Sequence, residues 1–373
     1  MFRYFLQRLF WVLIMLVSVL TVTFIFLKVD PEDPPTQIEM KRAFLDKQVS
    51  DGYMTRLIIS KEVDPYKSWT LAQIAEEQKK YEKFTKNDGI FWVYNTSSPT
   101  DPSRTMYVYT RINLFIQYGR WVANLVTKFD WGYSTKLATN VPATKVLNQT
   151  FKYTIGINII VILLEIPLGI GLGILAALYK NKWIDNLISI FIMVFISLPA
   201  FVVIMLMMKW FGWDLKWFPT QWAPGDSTLK QKILSYFIPV ISLSIGGIAS
   251  LTRFVRAELT EVLTSDFVLL ARTKGLSKFQ SIFRHGLRFA LTPIIPSLIL
   301  IFTSLLGGSP ITEQVYGIPG AGRVGLAATL QFDINIIMYD TAFFLTIGLI
   351  SGILYDMLLG VVDPRIRMGA KHA

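Results

Sequence analysis

Residues 253 to 296 read Arg253-Phe-Val-Arg256-Ala-Glu-Leu-Thr-Glu-Val-Leu-Thr-Ser-Asp266-Phe-Val-Leu-Leu-Ala271-Arg-Thr-Lys-Gly275-Leu-Ser277-Lys-Phe-Gln280-Ser-Ile-Phe-Arg-His285-Gly-Leu-Arg-Phe-Ala-Leu-Thr-Pro293-Ile-Ile-Pro296. Arg253, Arg256, Arg272, Lys274, Lys278, Arg284 and Arg288 make this a basic stretch of about 40 residues between two apolar runs. Both runs are long enough to cross a bilayer, and a basic connector between spans belongs on the cytoplasmic side. It is too long for a turn, so it predicts a surface on which something in the cytoplasm docks.

Composition agrees with a membrane protein. The chain of 373 residues is 52% hydrophobic and 17% charged, with a mean hydropathy of +0.45, more apolar than soluble domains of this size. The net charge of +11 does not point to nucleic acid, because no aromatic-basic RNA motif or zinc-finger spacing accompanies it and basic cytoplasmic loops account for the excess. There is no Cys, which excludes disulfides, thiolate metal sites and Cys nucleophiles. The two His residues, His285 and His372, have no ligand spacing.

Six apolar stretches are transmembrane candidates: Leu9–Leu27, Tyr153–Leu178, Leu187–Met208, Ile233–Leu251, Leu291–Leu306 and Ala342–Val362. The first follows Arg3 and Arg8, exceeds a signal-peptide core in length and lacks a small-x-small cleavage site, which predicts an uncleaved helix with its N-terminus inside. The basic connectors Lys180-Asn-Lys182 and Arg253–Arg288, and the tail with Arg365, Arg367 and Lys371, then all fall inside. The expected location is the plasma membrane, multi-pass, with both termini cytoplasmic.

The long connector after the first span predicts a small α+β extracytoplasmic insert over residues 29–111. Ala72–Phe84 has helical spacing, and Ile90–Tyr94 and Met106–Tyr109 read as strands flanking a turn-rich Asn95–Ser103. Within residues 112–152, Ile112–Phe129 predicts an amphipathic helix at the membrane interface. Residues 1–28 form the first span, and residues 153–367 form a core of five further spans with the connector at 252–290.

Within that connector, Thr264, Ser265 and Asp266 are helix N-cap types, and Lys274-Gly275 has the character of a helix C-terminus. Ser277-x-x-Gln280 reads as a capping box opening a second helix. Phe267, Leu269, Leu270 and Ala271 then lie on a short helix and require a partner surface.

Here the sequence resembles a family. Ala271-Arg-Thr-Lys-Gly275-Leu-Ser and Arg284-His285-Gly-Leu-Arg-Phe-Ala-Leu-x-Pro293 resemble the coupling loop of ABC-importer permeases, closest to the dipeptide/oligopeptide/nickel branch and its first permease subunit type. The general pattern is Glu-Ala-Ala, three residues, then Gly. Leu269, Leu270 and Ala271 hold the first three positions here, Gly275 is kept, and a later Leu-Pro is Leu287-Arg288. Trp131-Gly-Tyr-Ser134, Ile166-Pro-Leu-Gly169, Ser197-Leu-Pro199-Ala-Phe201, Gly317-Ile-Pro319-Gly-x-Gly322 and Asp363-Pro364-Arg365 resemble further elements of such permeases, in order. The insert is longer than the family pattern.

The resemblance implies an all-α integral membrane fold of six transmembrane helices in type I importer architecture. It implies a non-enzymatic transport subunit that moves dipeptides or oligopeptides by alternating access. Asp266, Phe267, Leu270, Ala271, Arg272, Gly275, Leu276 and Ser277 would form the loop that couples to an ATPase. The implied partners are two cytoplasmic ATPase subunits that bind ATP and Mg, a homologous second permease subunit and an extracytoplasmic substrate-binding protein. The chain has no Gly-x-x-x-x-Gly-Lys-Ser/Thr phosphate loop of its own.

Glu165 lies near the middle of the second span, where a carboxylate is costly and usually faces the bundle interior or a water-filled path. It reads either as a contact for a passing substrate's amino group or backbone, or as a packed, protonated or hydrogen-bonded carboxylate. As a proton relay it would favour an ion-coupled secondary transporter instead. A nickel permease of the same family is a further alternative, made less attractive by the absence of clustered ligand residues. A non-transporting membrane protein with a receptor-like insert is the remaining reading. Gly169, Gly171 and Gly173 predict close helix packing, and Met205, Met207 and Met208 read as apolar packing more readily than as a soft-metal site.

Overall fold

The computed structural model describes residues 2–29, 34–95, 105–281, 286–306 and 308–362. Most of the turn-rich stretch before the third strand, Arg284, His285, and the end that carries Asp363-Pro364-Arg365, Arg367 and Lys371 lie outside the described residues. The chain divides into two compact units: residues 17–144 with 331–339, and residues 1–16, 145–330 and 340–373.

The first helix, α1 (Phe2–Val29), supplies its second half to the former unit. There follow α2 (Ile38–Ser50), β1 (Met54–Ile59), α3 (Leu71–Glu82), β2 (Ile90–Tyr94), β3 (Met106–Arg111) and α4 (Leu114–Lys128). The strands form an antiparallel sheet in the order β1-β3-β2, with Leu57 and Trp92 both opposite Val108. Side chains alternate between the faces of a strand, and both faces are covered. Met106, Val108, Ile59 and Tyr94 pack with Ile74 of α3, whereas Tyr109, Phe91, Val93 and Met54 pack with Leu45 of α2. Burial on both faces explains why β2 reads as a continuous apolar run rather than an alternating one. Thr70 opens α3 with a capping box: its hydroxyl accepts from Gln73 N–H at 3.3 Å, and its own N–H donates to Gln73 Oε1 at 2.8 Å.

Helix α4 packs against α1, where Tyr118 OH and Thr21 Oγ1 lie 2.5 Å apart and Phe24 meets Trp121 at 5.3 Å between ring centroids. Asn113 caps its start, and Phe129 ends it in the left-handed region at φ 51°. Phe115, Ile116, Val126 and Phe129 are left exposed, which is the outward apolar face expected of an amphipathic helix.

The other unit holds most of α5 (Ala143–Leu178), all of α6 (Trp183–Ser197), α7 (Ala200–Met207), α8 (Leu229–Leu263), α9 (Asp266–Thr273), α10 (Lys278–Ser281), α11 (Leu287–Leu306) and α12 (Pro310–Tyr316), α13 (Ala321–Gln331) up to residue 330, and α14 (Ile334–Val362) from residue 340 onward. Among the described residues four helices are long and apolar enough to cross a membrane: Leu6–Val29, Ala143–Leu178, Leu229–Leu263 and Ile334–Leu358. They become five when the bent pair α6–α7 is taken as one span. The expected fifth stretch, Leu291–Leu306, lies in the 20-residue helix α11.

The expected third span is not one straight helix. It bends by 103° between α6 and α7. Leu198 is extended at φ −94°, ψ 120°, because a residue preceding proline is pushed out of the helical region, and Pro199, itself extended at φ −60°, ψ 142°, is the N-cap from which α7 starts.

Helices α5 and α8 pack in a constant register. A Cβ on Gly169 would fall 2.8 Å from Leu251 Cβ, and one on Gly173 would fall 2.6 Å from Val255 Cβ. Both contacts advance by one turn in the same direction, so the helices run parallel. Gly171 points elsewhere, with nothing within 4 Å. The close approach is of the small-residue kind that membrane helices use in place of a hydrophobic driving force.

Candidate functional site

The segment between α8 and α11 is built by three successive caps. Helix α8 ends at Thr264, whose hydroxyl donates to Glu261 O at 2.8 Å. Ser265 is extended at φ −70°, ψ 150° and opens α9 without a side-chain cap, while Asp266 in the first turn and Arg272 in the last complement the helix dipole. At the far end Gly275 N–H donates to Arg272 O at 3.0 Å and Leu276 N–H to Ala271 O at 3.4 Å. These two bonds define a Schellman motif, with Gly275 in the left-handed region at φ 93°. Ser277 then caps α10: Gln280 N–H donates to Ser277 Oγ at 3.2 Å, and Ser277 N–H donates to Gln280 Oε1 at 3.1 Å.

Helix α9 has two apolar faces. Val268 and Ala271 are buried against the chain itself. Phe267, Leu269 and Leu270 are 40, 47 and 57% exposed, and Phe279 of α10 is 58% exposed. Phe267 also rests on Phe289 at 4.6 Å. Asp266, Arg272, Gly275 and Ser277 are exposed and Leu276 is half-buried. The structure therefore brings the predicted loop residues together but turns Ala271 inward, so only Phe267, Leu269 and Leu270 of the expected apolar set remain without cover.

Glu165 sits elsewhere, near the middle of α5, 3% exposed. Its carboxyl lies so close to Gly247 of α8 that any Cβ there would overlap it.

The Gly317-Ile-Pro319-Gly-Ala-Gly322 stretch wraps a second buried carboxylate, which sequence reasoning missed. Glu313 Oε1 accepts from Thr154 Oγ1 at 2.9 Å, and Oε2 accepts from Arg323 N–H at 2.8 Å. Thr154 in turn accepts from Ala321 N–H at 2.8 Å. Cβ atoms on Gly320 or Gly322 would enter this cradle, which gives those glycines their reason. Burial pushes the Glu313 carboxyl above its ordinary range, and the hydrogen bonds from Arg323 N–H and Thr154 oppose that shift.

In the insert-bearing unit, the Trp131-Gly-Tyr-Ser134 element closes on Asp333. One oxygen of this fully buried carboxylate accepts from Ser134 Oγ at 2.6 Å and from the N–H groups of Thr135, Lys136 and Leu137 at 3.2, 3.0 and 3.1 Å. The partners lie some 200 residues apart in sequence, so no local signal announces them.

Comparison with known proteins places the chain. Residues 169–368 match the family model described as "binding-protein-dependent transport system inner membrane component". The chain is 32% identical over 258 residues to the dipeptide transport system permease protein DppB of Bacillus subtilis, covering 69% of this chain and 81% of that one. It is 30% identical over 254 residues to the glutathione transport system permease protein GsiC of Salmonella typhimurium, covering 68 and 80%. It is 29% identical over 256 residues to a probable peptide ABC transporter permease protein of Sinorhizobium fredii, covering 68 and 80%. With a family model matching more than half its length and a relative 32% identical over 69% of the chain, this chain belongs to the binding-protein-dependent inner membrane components, as an ABC-importer permease of the peptide family.

Proposed function

We propose that the chain is one membrane-spanning half of an ATP-driven importer of small peptides, working by alternating access. The observation that carries the reading is α9. It is a short helix stopped sharply by Gly275, presenting Phe267, Leu269 and Leu270 to the outside while Val268 and Ala271 anchor it to its own chain. Such a helix is a compact lever: its outer face buries in a groove of an ATPase subunit, and its inner face transmits displacement to α8 and α11. Closure of two ATPase subunits around ATP and Mg would then swing the spans between inward-open and outward-open arrangements. In this scheme the α9–α10 loop and both termini lie in the cytoplasm, and the sheet-bearing insert lies outside, where a substrate-binding protein delivers the peptide. A homologous second permease completes the pathway. Peptide cargo is supported by the relatives, whose names specify dipeptide, peptide and glutathione transport.

Co-purification of the wild-type chain and Leu270→Glu from native membranes tests the reading. ATPase subunits accompany wild type, and their yield falls at least tenfold in the variant with no change in melting temperature. Absence of any ATPase with wild type, or equal recovery with the variant, would overturn it.

A further inference from the structure

Helix α6 has two unlike sides. Asp185, Ile188 and Ile192 are buried, and the two isoleucines pack with Ala176 of α5. The opposite side carries Trp183, Leu187, Ile190 and Val194, which are 73, 60, 56 and 47% exposed. Steps of four, three and four residues put them on one face of the helix. At 1.5 Å per residue this stripe runs about 16 Å, and the helix ends soon after it, at Leu198 and the 103° bend. A hydrocarbon core is about 30 Å thick, so the stripe is as long as one leaflet is deep. A partner helix crossing the membrane would follow a straight face for about twice that length, whereas the tail of a phospholipid needs no more.

The stripe begins at a basic turn. Lys182 N–H donates to Tyr179 O at 2.9 Å, closing a four-residue turn in which Lys180, Asn181 and Lys182 are exposed. The adjacent carboxylate, Asp185, is already engaged: Arg256 takes both of its oxygens, and Asn181 N–H adds to one of them. Lys180 acts on it only through space. Among the described residues neither Lys180 nor Lys182 makes a salt bridge. The Lys182 ammonium lies 5.8 Å from the ring centroid of Tyr179. That ring and Trp183 flank the lysine, and such amphipathic rings settle at the level of lipid headgroups.

Two uncompensated positive charges at the head of an apolar stripe one leaflet long call for an occupant with an anionic head and an apolar tail. We propose that this face of α6 is a binding site for an anionic phospholipid. Lys180 and Lys182 hold the headgroup phosphate, Trp183 lies beneath it at the interface, and Leu187, Ile190 and Val194 carry an acyl chain.

The test uses the full chain, purified with the proteins that accompany it, in phosphatidylcholine bilayers. These contain a small, equal fraction of dibrominated phosphatidylglycerol or dibrominated phosphatidylcholine. Bromine quenches only the tryptophans it touches, and subtracting the signal of the matching Trp183→Phe variant isolates Trp183 among the ten. Trp183 is quenched at least threefold more by the phosphatidylglycerol, and Lys180→Gln/Lys182→Gln brings the two lipids level. Where that double variant does not assemble, Lys182→Gln alone decides: a lowered ratio supports the proposal, an unchanged one overturns it. Equal quenching by both lipids in wild type overturns it and leaves α6 with ordinary boundary lipid. A preference that survives loss of both lysines overturns it as well, because the selecting charge then lies elsewhere. No quenching of Trp183 by either lipid means that another protein surface covers the stripe, and is equally fatal.

Discussion

Arg256 of α8 holds Asp185 of α6 in a two-pronged grip, Nε to Oδ1 at 2.6 Å and Nη2 to Oδ2 at 2.9 Å. Asn181 adds its N–H to Oδ2 at 2.9 Å from a left-handed position at φ 63°. The sequence showed Arg256 only as one more charge of a basic connector. In the fold it is the partner of a carboxylate that is 2% exposed, fixing the turn between α5 and α6 to the last part of α8, just before α9.

This pair makes the first prediction. Removing Arg256 leaves a charge buried and unpaired, which costs about 3–5 kcal/mol, whereas removing both partners avoids that penalty. Arg256→Ala will therefore melt well below wild type, and Asp185→Ala/Arg256→Ala will recover part of the loss. Intrinsic fluorescence melting of the detergent-solubilised chain reads the cycle. A double variant no more stable than Arg256→Ala would show that the pair is not coupled in this way.

The α5–α8 register makes the second. Gly173→Ala must push Val255 or the backbone oxygen of Thr252, which lies 3.0 Å from the new Cβ, and overpacking of this kind costs about 1–3 kcal/mol. Gly171→Ala meets nothing within 4 Å, and alanine favours the helix by about 0.5–1 kcal/mol over glycine. The two substitutions, two residues apart, should move the melting temperature in opposite directions. Equal shifts would mean that α5 presents a different face to α8.

What sequence made legible here was what is local. Apolar length placed the spans, the Ser277 capping box and Gly275 placed the turn, and apolar runs placed β2 and β3. Strand β1, Met-Thr-Arg-Leu-Ile-Ile, was missed because Thr55, Arg56 and Leu57 are all exposed on this edge strand, so polar and apolar residues do not alternate along it. Helix α2 was missed because only a narrow stripe around Leu45 is buried. The bend at Pro199 was in view as a motif, yet its 103° angle depends on how α7 finds its packing partners. The carboxylates of Glu313 and Asp333 escaped for the same reason. Each takes a donor from a sequence-distant segment, Thr154 for one and Ser134 for the other, and no local pattern announces that partner. Glu165 was visible as a misplaced charge, but its close approach to Gly247 was not.

Glu313 makes the last prediction, and its sign follows from burial. Its folded-state affinity for a proton is raised above the ordinary carboxyl value of 4.5, so the folded chain binds the proton more tightly than the unfolded chain does. Stability from this group is fully present below the unfolded value and is lost as pH rises through the raised folded value. Glu313→Gln keeps the shape and a neutral hydrogen-bonding group but cannot ionise. The stability difference between wild type and Glu313→Gln should therefore move against wild type as pH rises from 4.5, then level off once the folded carboxyl has ionised. Asp340, which interacts electrostatically with Glu313, should be replaced by Asn in both backgrounds so that only one carboxyl titrates. Melting temperatures across that range give the curve directly. A difference that stays flat, or that moves in favour of wild type, would mean that the Thr154 and Arg323 hydrogen bonds outweigh burial, and that the glycine loop holds an ionised carboxylate throughout.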